Sequence, residues 1–453
     1  MKWKAAVMTI LFLTLTSLSG CSFVGLDAQS LMHAPKPTGE NEADIRNLLE
    51  STAEGTLTLK YPSAGDYRSA IMIHNIYGDQ SDEAIAFYQK EDETSGTNIM
   101  FMRKNEGKWE SMGSFNNPAS KVDRVCFGDL DGDGKDEVIV GWGSSLNNTG
   151  DICVYYPQDE QMKELQLSQS YTEMAVMDFD GDGQDEIFTA SVTVGDQPAS
   201  AQLLRVHIDN GEGTMKQMGS ALLDAGVTQY ASVQTGLINA KEVGVVLDGV
   251  KTADTMVTEL LYWDKKTETL RSAFYDPKTK SDKSTERNTS VVSKDINGDR
   301  IIEIPMVTLM PGYSGKTVDD AAYLTSWFRY DTDTNALFRV MSMFINYSDG
   351  YWFSIPDMWR GKVTTKLDPS SRTVTVYEWK TTQEDKVGFV GAPLLSIQTF
   401  TQKEWNQGEG ITSYFELSEG DNSVYAASLP SPDNSLSMTK EEVQQAFQAI
   451  SKQ

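Results

Sequence analysis

"DLDGDGKDEVIVG", residues 129–141, sets carboxylates at alternate positions of a tight loop and then runs directly into an apolar strand. Asp129, Asp131, Asp133 and Glu137 occupy positions 1, 3, 5 and 9 of that loop. Gly132 and Gly134 stand between them and supply the positive φ that so sharp a bend demands. Four like charges on one turn call for a cation. Calcium takes six to eight oxygens at about 2.3–2.6 Å in irregular geometry, which this spacing suits, and the backbone carbonyl of Lys135 at position 7 would join the set. Magnesium holds to near-octahedral order and gives up water reluctantly. Zinc and copper want His or Cys, and none of the three His lies in the loop. An EF-hand needs a bidentate Glu at position 12 and flanking helices; here position 12 is Val140, inside a strand pattern.

The same phrase returns. "DFDGDGQDEIFTA" (178–190) offers Asp178, Asp180, Asp182, the carbonyl of Gln184, and Glu186. "DINGDRIIEIPMV" (295–307) keeps Asp295, Asn297, Asp299 and Glu303 but places Arg300 where glycine stood, and is a third candidate. "NIYGDQSDEAIAF" (75–87) retains only Asp79 and Glu83, and "QTGLINAKEVGVV" (234–246) only Glu242. Both are expected to have lost the metal. Because Glu recurs at position 9 even there, it is also expected to hydrogen-bond within its own unit.

Start-to-start distances of 54, 49, 56 and 61 residues mark units that stack or arrange radially. An alternating apolar run precedes each loop and a β-rich run follows it. Two further strands then flank polar hairpins at 104–107, 158–161, 209–213, 264–268 and 331–335. Four short strands per unit is the pattern of a β-propeller blade. Five such units span 56–345.

These loops and their blade context resemble the calcium loops of FG-GAP and VCBS repeats, the blades of integrin-alpha-like propellers. The resemblance implies a mainly β chain: a five-bladed β-propeller of four-stranded antiparallel blades, with two Ca2+ sites at 129–137 and 178–186 and a third candidate at 295–303. Propellers of that family usually have seven blades, so a count of five departs from it.

The ends read differently. Lys2 and Lys4, an apolar stretch from Ala5, and then Leu18-Ser19-Gly20-Cys21 form a secretory signal segment over 1–20. Its ending resembles the bacterial lipobox, which implies cleavage before Cys21 and a diacylglyceryl group on its sulfur. The expected location is the bacterial membrane, lipid-anchored and facing outside the cytoplasm. Residues 21–55 read as the lipidated Cys21, a polar tether and a short helix (42–51) burying Ile45, Leu48 and Leu49. Residues 346–453 read as a small α+β domain closed by a helix with a Thr439–Glu442 capping box and a stripe of Val443, Ala446, Phe447 and Ile450. Trp352, Trp359 and Trp379 are assigned to its core, with a sugar-binding surface as the alternative. Cys126 and Cys153 fall two strands apart, nearly 10 Å, beyond the roughly 7 Å that a disulfide spans, so both are expected free.

The chain carries a net charge of −26, and loss of Lys2 and Lys4 with the signal makes it −28. Such a charge repels nucleic acid. No Gly-x-Ser-x-Gly, His-Glu-x-x-His or phosphate-cradling loop occurs. The sequence therefore predicts a non-enzymatic, monomeric module that binds or scaffolds an extracellular protein or glycan. The alternative is a polysaccharide lyase or glycosidase working through a pair of carboxylates on the propeller face.

Overall fold

The computed structural model describes residues 40–450 apart from 54–55, 80, 92, 144–149, 210, 317–320, 383–387, 409–410, 421 and 431–433. The signal segment, Cys21 and the tether lie outside the described residues.

Strand burial separates inner from outer positions. Glu137–Gly143 is buried along its whole length, and Glu186–Ser191 at all but its last residue. Unbroken buried runs of this kind arise where both faces of a sheet are covered. Glu212–Leu222 instead mixes exposed and partly buried residues, and Lys108–Asn117 buries only Trp109 and Met112, as strands at a rim do.

The strands form antiparallel sheets in chain order. The first joins Ile71–His74, Glu83–Lys90, Thr97–Asn105 and Lys108–Asn117, with Leu57–Leu59 added on the Glu83–Lys90 strand. The second runs Lys121–Gly128, Glu137–Gly143, Gly150–Gln158, Gln161–Tyr171. The third runs Glu173–Met177, Glu186–Ser191, Ser200–Asp209, Glu212–Leu222, and the fourth Gln229–Leu237, Val243–Thr252, Thr255–Asp264, Thr269–Ser272. In the fifth, the opening strand has shrunk to a bridge between Lys294 and Glu303, followed by Ile304–Leu309, Tyr323–Asp331, Ala336–Asn346 and Tyr351–Ser354. Every acidic loop thus connects the first and second strand positions of its sheet, and every expected hairpin joins the third and fourth.

Sheets pack face to face in the same order. Phe87 and Phe101 of the first meet Val138 and Tyr155 of the second. Ile139 and Val154 meet Ile187 and Leu204. Phe188 and Leu203 meet Leu247 and Leu261, and Val246 and Leu260 meet Ile302 and Ile304.

The two ends of this row bear on ring closure. A closed ring of five would press the free face of the first sheet on that of the fifth. Instead the helix Glu40–Ala53 covers the first sheet, with Ile45 and Leu49 set against Ala84, Ala86, Tyr88 and Met100. The fifth sheet is covered by a five-stranded C-terminal sheet (Val363–Asp368, Thr373–Thr381, Gly388–Thr401, Ser423–Ser428, Phe415–Glu419), where Phe344, Tyr351 and Phe353 share one core with Trp359, Val376 and Leu395. Among the described residues, no hydrophobic cluster joins the first sheet to the fifth.

The last helix is shorter than its apolar stripe suggests. Its capping box forms as expected, Thr439 accepting from the Glu442 N–H, but it ends at Ala446. Phe447–Ala449 becomes a strand that pairs with Tyr351–Ser354 of the fifth sheet, leaving Ile450 exposed. A strand partner satisfies the backbone there, and Phe447 keeps its burial without the helix. Trp359 is fully buried, and Cys126 and Cys153 are free thiols on strands separated by Glu137–Gly143.

Candidate metal loops

One hydrogen-bond frame recurs in four loops. The carboxylate of the position-9 Glu accepts from the backbone N–H of position 2: Glu83 from Ile76 at 2.9 Å, Glu137 from Leu130 at 2.8 Å, Glu186 from Phe179 at 2.9 Å and Glu303 from Ile296 at 3.1 Å. Each Glu is at most 1 % exposed. The intra-unit role expected of this residue is therefore real, and its presence alone does not mark a metal.

The fourth unit departs from the frame. Gln234 lies inside the strand Gln229–Leu237, so the loop does not begin at 234 as the repeat suggested. It is a shortened turn in which the Ile238 N–H donates to the Glu242 carbonyl and Asn239 Oδ1 accepts from Lys241 and Glu242.

In the acidic loops the first Asp knits the turn. Asp129 accepts from the N–H of Gly132 (2.7 Å), Asp133 (3.1 Å) and Gly134 (3.0 Å), and Asp178 from Gly181 and Gly183. Positions 3 and 5 each use Oδ1 for the N–H two residues on, as Asp131 does for Asp133 and Asp133 for Lys135. Their Oδ2 atoms stay outside the frame. At 295–303 the fold is the same, with Arg300 taking the glycine conformation at φ 71° so that its N–H reaches Asp295 at 2.8 Å. An arginine in that region carries strain a glycine avoids.

Three groups bring carboxylate oxygens within 4.8 Å of one another and could hold a metal ion: Asp129, Asp131 and Glu137; Asp178, Asp180 and Glu186; Asp295, Asp299 and Glu303. The remaining expected ligands have other partners. Asp133 pairs with Lys135 Nζ at 2.5 Å, Asp182 with Arg205 at 2.8 Å, and Asn297 donates to Asp299 at 3.1 Å. The Gln184 side chain reaches back to the Asp131 carbonyl of the preceding loop at 3.1 Å.

Sequence reading missed three arginines. Arg103, Arg205 and Arg329 each lie on the third strand, across from the position-9 Glu. Glu83 pairs in register with Arg103, while Glu186–Arg205 and Glu303–Arg329 lie one step beyond the pairs Ile187–Leu204 and Ile304–Phe328. Arg103 contacts Asp79, Ser81 and Glu83. Arg329 reaches Asp299 at 2.7 Å and Glu303 at 3.8 Å. The signal was present in "FMRKN", "LLRVH" and "WFRYD", but unequal lengths between Glu and Arg (20, 19 and 26 residues) hid the common register.

Charge follows from this packing. Burial, reinforced by Asp131, Asp133 and Asp129, pushes Glu137 up to about 8. Burial lifts Glu186 to about 7, with Arg205 pulling against it. The second loop, 129–137, fits a hard cation: its donors are all oxygen, its Glu is buried, and among the described residues only Lys135 pairs with its acids.

Another set of buried acids lies under the fourth sheet. Asp282 and Glu259 are fully buried, and among the described residues both Asp282 carboxylate oxygens and Glu259 Oε2 lack a hydrogen-bond partner. Burial and the neighbouring Asp224 push Asp282 up to about 7, and burial and Asp282 raise Glu259 well above its ordinary value.

A cleft of about 210 Å³ opens where Gly65–Tyr67 meets the first strands of the second, third and fourth sheets. Arg124 lines it but is committed to Asp123 (3.1 Å), Glu173 (2.7 Å) and the Met174 carbonyl (3.1 Å). Beside it His74 stacks on Phe127 and holds Asp136 at 2.6 Å.

No family model and no curated protein matches the chain. Solved structures that resemble it include a Bacillus licheniformis rhamnogalacturonan lyase (13% identity, 74% of this chain and 75% of that one, TM-score 0.29). Others are the rhamnogalacturonan lyase YesW (10% identity, 82% and 91%, TM-score 0.30) and a GH43 β-1,3-galactosidase (10% identity, 80% and 77%, TM-score 0.25). At these TM-scores the likeness carries no activity over to this chain.

Proposed function

We propose that this chain is a membrane-anchored, extracytoplasmic lipoprotein whose five repeats are propeller-type blades braced by calcium, and that it acts as a binding or scaffolding module for a glycan or a protein. One observation carries the calcium part. The second loop gathers Asp129, Asp131 and Glu137 around one point, with Glu137 buried and no arginine opposite it. Asp129, Asp131, Asp133 and Glu137 would hold the ion together with the Lys135 carbonyl. Bound there, the ion would neutralise a knot of carboxylates and lock the turn between two inner strands. The first strands of the second to fourth sheets share one cleft, which supports a propeller-type arrangement.

The anchor rests on Leu18 to Cys21. The binding role rests on the absence of a catalytic motif and on a surface too acidic for nucleic acid. The second reading is a carbohydrate-active enzyme, the activity named for the lyases and the galactosidase above. The carboxylates gathered in the loops argue for the binding module, because they are tied to backbone amides and arginines.

Calcium-dependent melting tests the structural role. Calcium at a hundredfold excess over Kd should add about 2.7 kcal/mol through one site, and Asp131→Ala should abolish that gain. Identical melting curves in calcium and in chelator would refute it. Retention of the mature chain on cell-wall polysaccharide without release of unsaturated sugar ends from rhamnogalacturonan would favour the binding module; release would favour the lyase.

A further inference from the structure

We propose that Arg205 is the built-in cation of the third loop, so that the chain binds calcium at 129–137 and not at 178–186. This rests on the calcium reading of the second loop. The oxygens a metal would need at 178–186 are already held: Arg205 Nη2 lies 2.9 Å from Asp180, Nη1 lies 2.8 Å from Asp182, and Nε lies 3.0 Å from Glu186. Those are the carboxylates of positions 3, 5 and 9. A planar guanidinium with five donors in a fixed fork matches such a set and keeps its charge at any working pH. A calcium ion at 2.3–2.6 Å from the same oxygens would need the space that the fork fills.

Among the described residues, the second loop has no such group. One step beyond the pair Val138–Tyr155, the residue opposite Glu137 is Tyr156, whose hydroxyl donates away from the loop to the Gly211 carbonyl at 3.1 Å. The adjoining residues repeat the contrast. A Cβ built on Gly132 would meet the neutral Gln184 side chain, whereas one on Gly181 would meet Lys265 Nζ at 2.5 Å. Four carboxylates therefore face one lysine in the second loop, but an arginine and a lysine in the third.

Arg103 and Arg329 occupy the same register in the first and fifth sheets. A chance collapse of one flexible side chain onto nearby acids would not recur at one cross-strand position in three sheets. The repeat has two ways to neutralise its loop, and the residue opposite Glu selects between them.

Calcium titration of the mature full-length chain by equilibrium dialysis reads the outcome. We expect one ion per chain, lost in Asp131→Ala and retained in Asp180→Ala. Arg205→Met should raise the count to two, and Tyr156→Arg should lower it to zero. Two or more ions on the wild type, with one lost in Asp180→Ala, would mean that calcium expels Arg205 and would overturn the inference while leaving the calcium reading intact. No ion on either the wild type or Arg205→Met would overturn both. If Arg205→Met does not fold, the Asp131→Ala and Asp180→Ala counts still decide.

Discussion

The loops at 129–137 and 178–186 are identical at seven of nine positions, yet the structure surrounds them differently. The third has Arg205 threaded among Asp180, Asp182 and Glu186; the second faces Tyr156, and its Asp133 pairs with Lys135. The lesson is that a ligand loop does not by itself decide its ligand. That choice belongs to a strand nineteen residues further on, brought alongside by the hairpin. The fourth sheet adds a third solution. Its buried Asp282 and Glu259 have neither arginine nor metal loop, and burial holds them toward the protonated form.

The largest effect should come from removing the arginine. In chelator, Arg205→Met strands Glu186, which is fully buried, beside two further acids. Breaking a buried ion pair costs about 3–5 kcal/mol, and we expect about 3 because Asp182 is 42% exposed and rehydrates. Urea unfolding measures it. A loss below about 1 kcal/mol would mean that the guanidinium is not the partner the folded loop depends on.

The fourth sheet should answer to pH. Asp282 and Glu259 are held above their ordinary values, so the folded chain binds their protons more tightly than the unfolded chain does. Their contribution is complete below the unfolded pKa of about 4 and is lost as pH rises through about 7. In chelator the melting temperature should therefore fall between pH 5 and pH 8, and Asp282→Asn should flatten that fall. An unchanged slope in the variant would remove protons from the list of solutions.

Lys135 should matter least. Its pair with Asp133 is about one-third exposed on both sides, and such pairs contribute about 0.5 kcal/mol or less. Lys135→Ala should barely move stability but should tighten calcium binding several-fold, since it removes the one positive charge on the second loop. Weaker binding would mean that the lysine helps to shape the site.

Much of this was legible in the residues. Loop spacing, the position of each hairpin and the hydrogen-bonding Glu at position 9 follow from local pattern, because turn chemistry and strand alternation act over a few residues. The Thr439–Glu442 cap was legible for the same reason. The register of the fourth unit was not, since its connection, 238–242, is shorter than 129–136 of the second unit, and the repeat period alone does not reveal that Gln234 lies in a strand.

By itself, then, the sequence determined a mainly β chain of five repeats with acidic loops between first and second strands. Only the tertiary structure decided which loop has an arginine set among its carboxylates, how the row of sheets ends, and where the last helix stops. Each of those depends on residues far apart in sequence meeting across a face: Arg205 with Glu186, the helix 40–53 with the first sheet, Phe447 with Phe353. Side-chain period records which way a residue points, but not what it meets there.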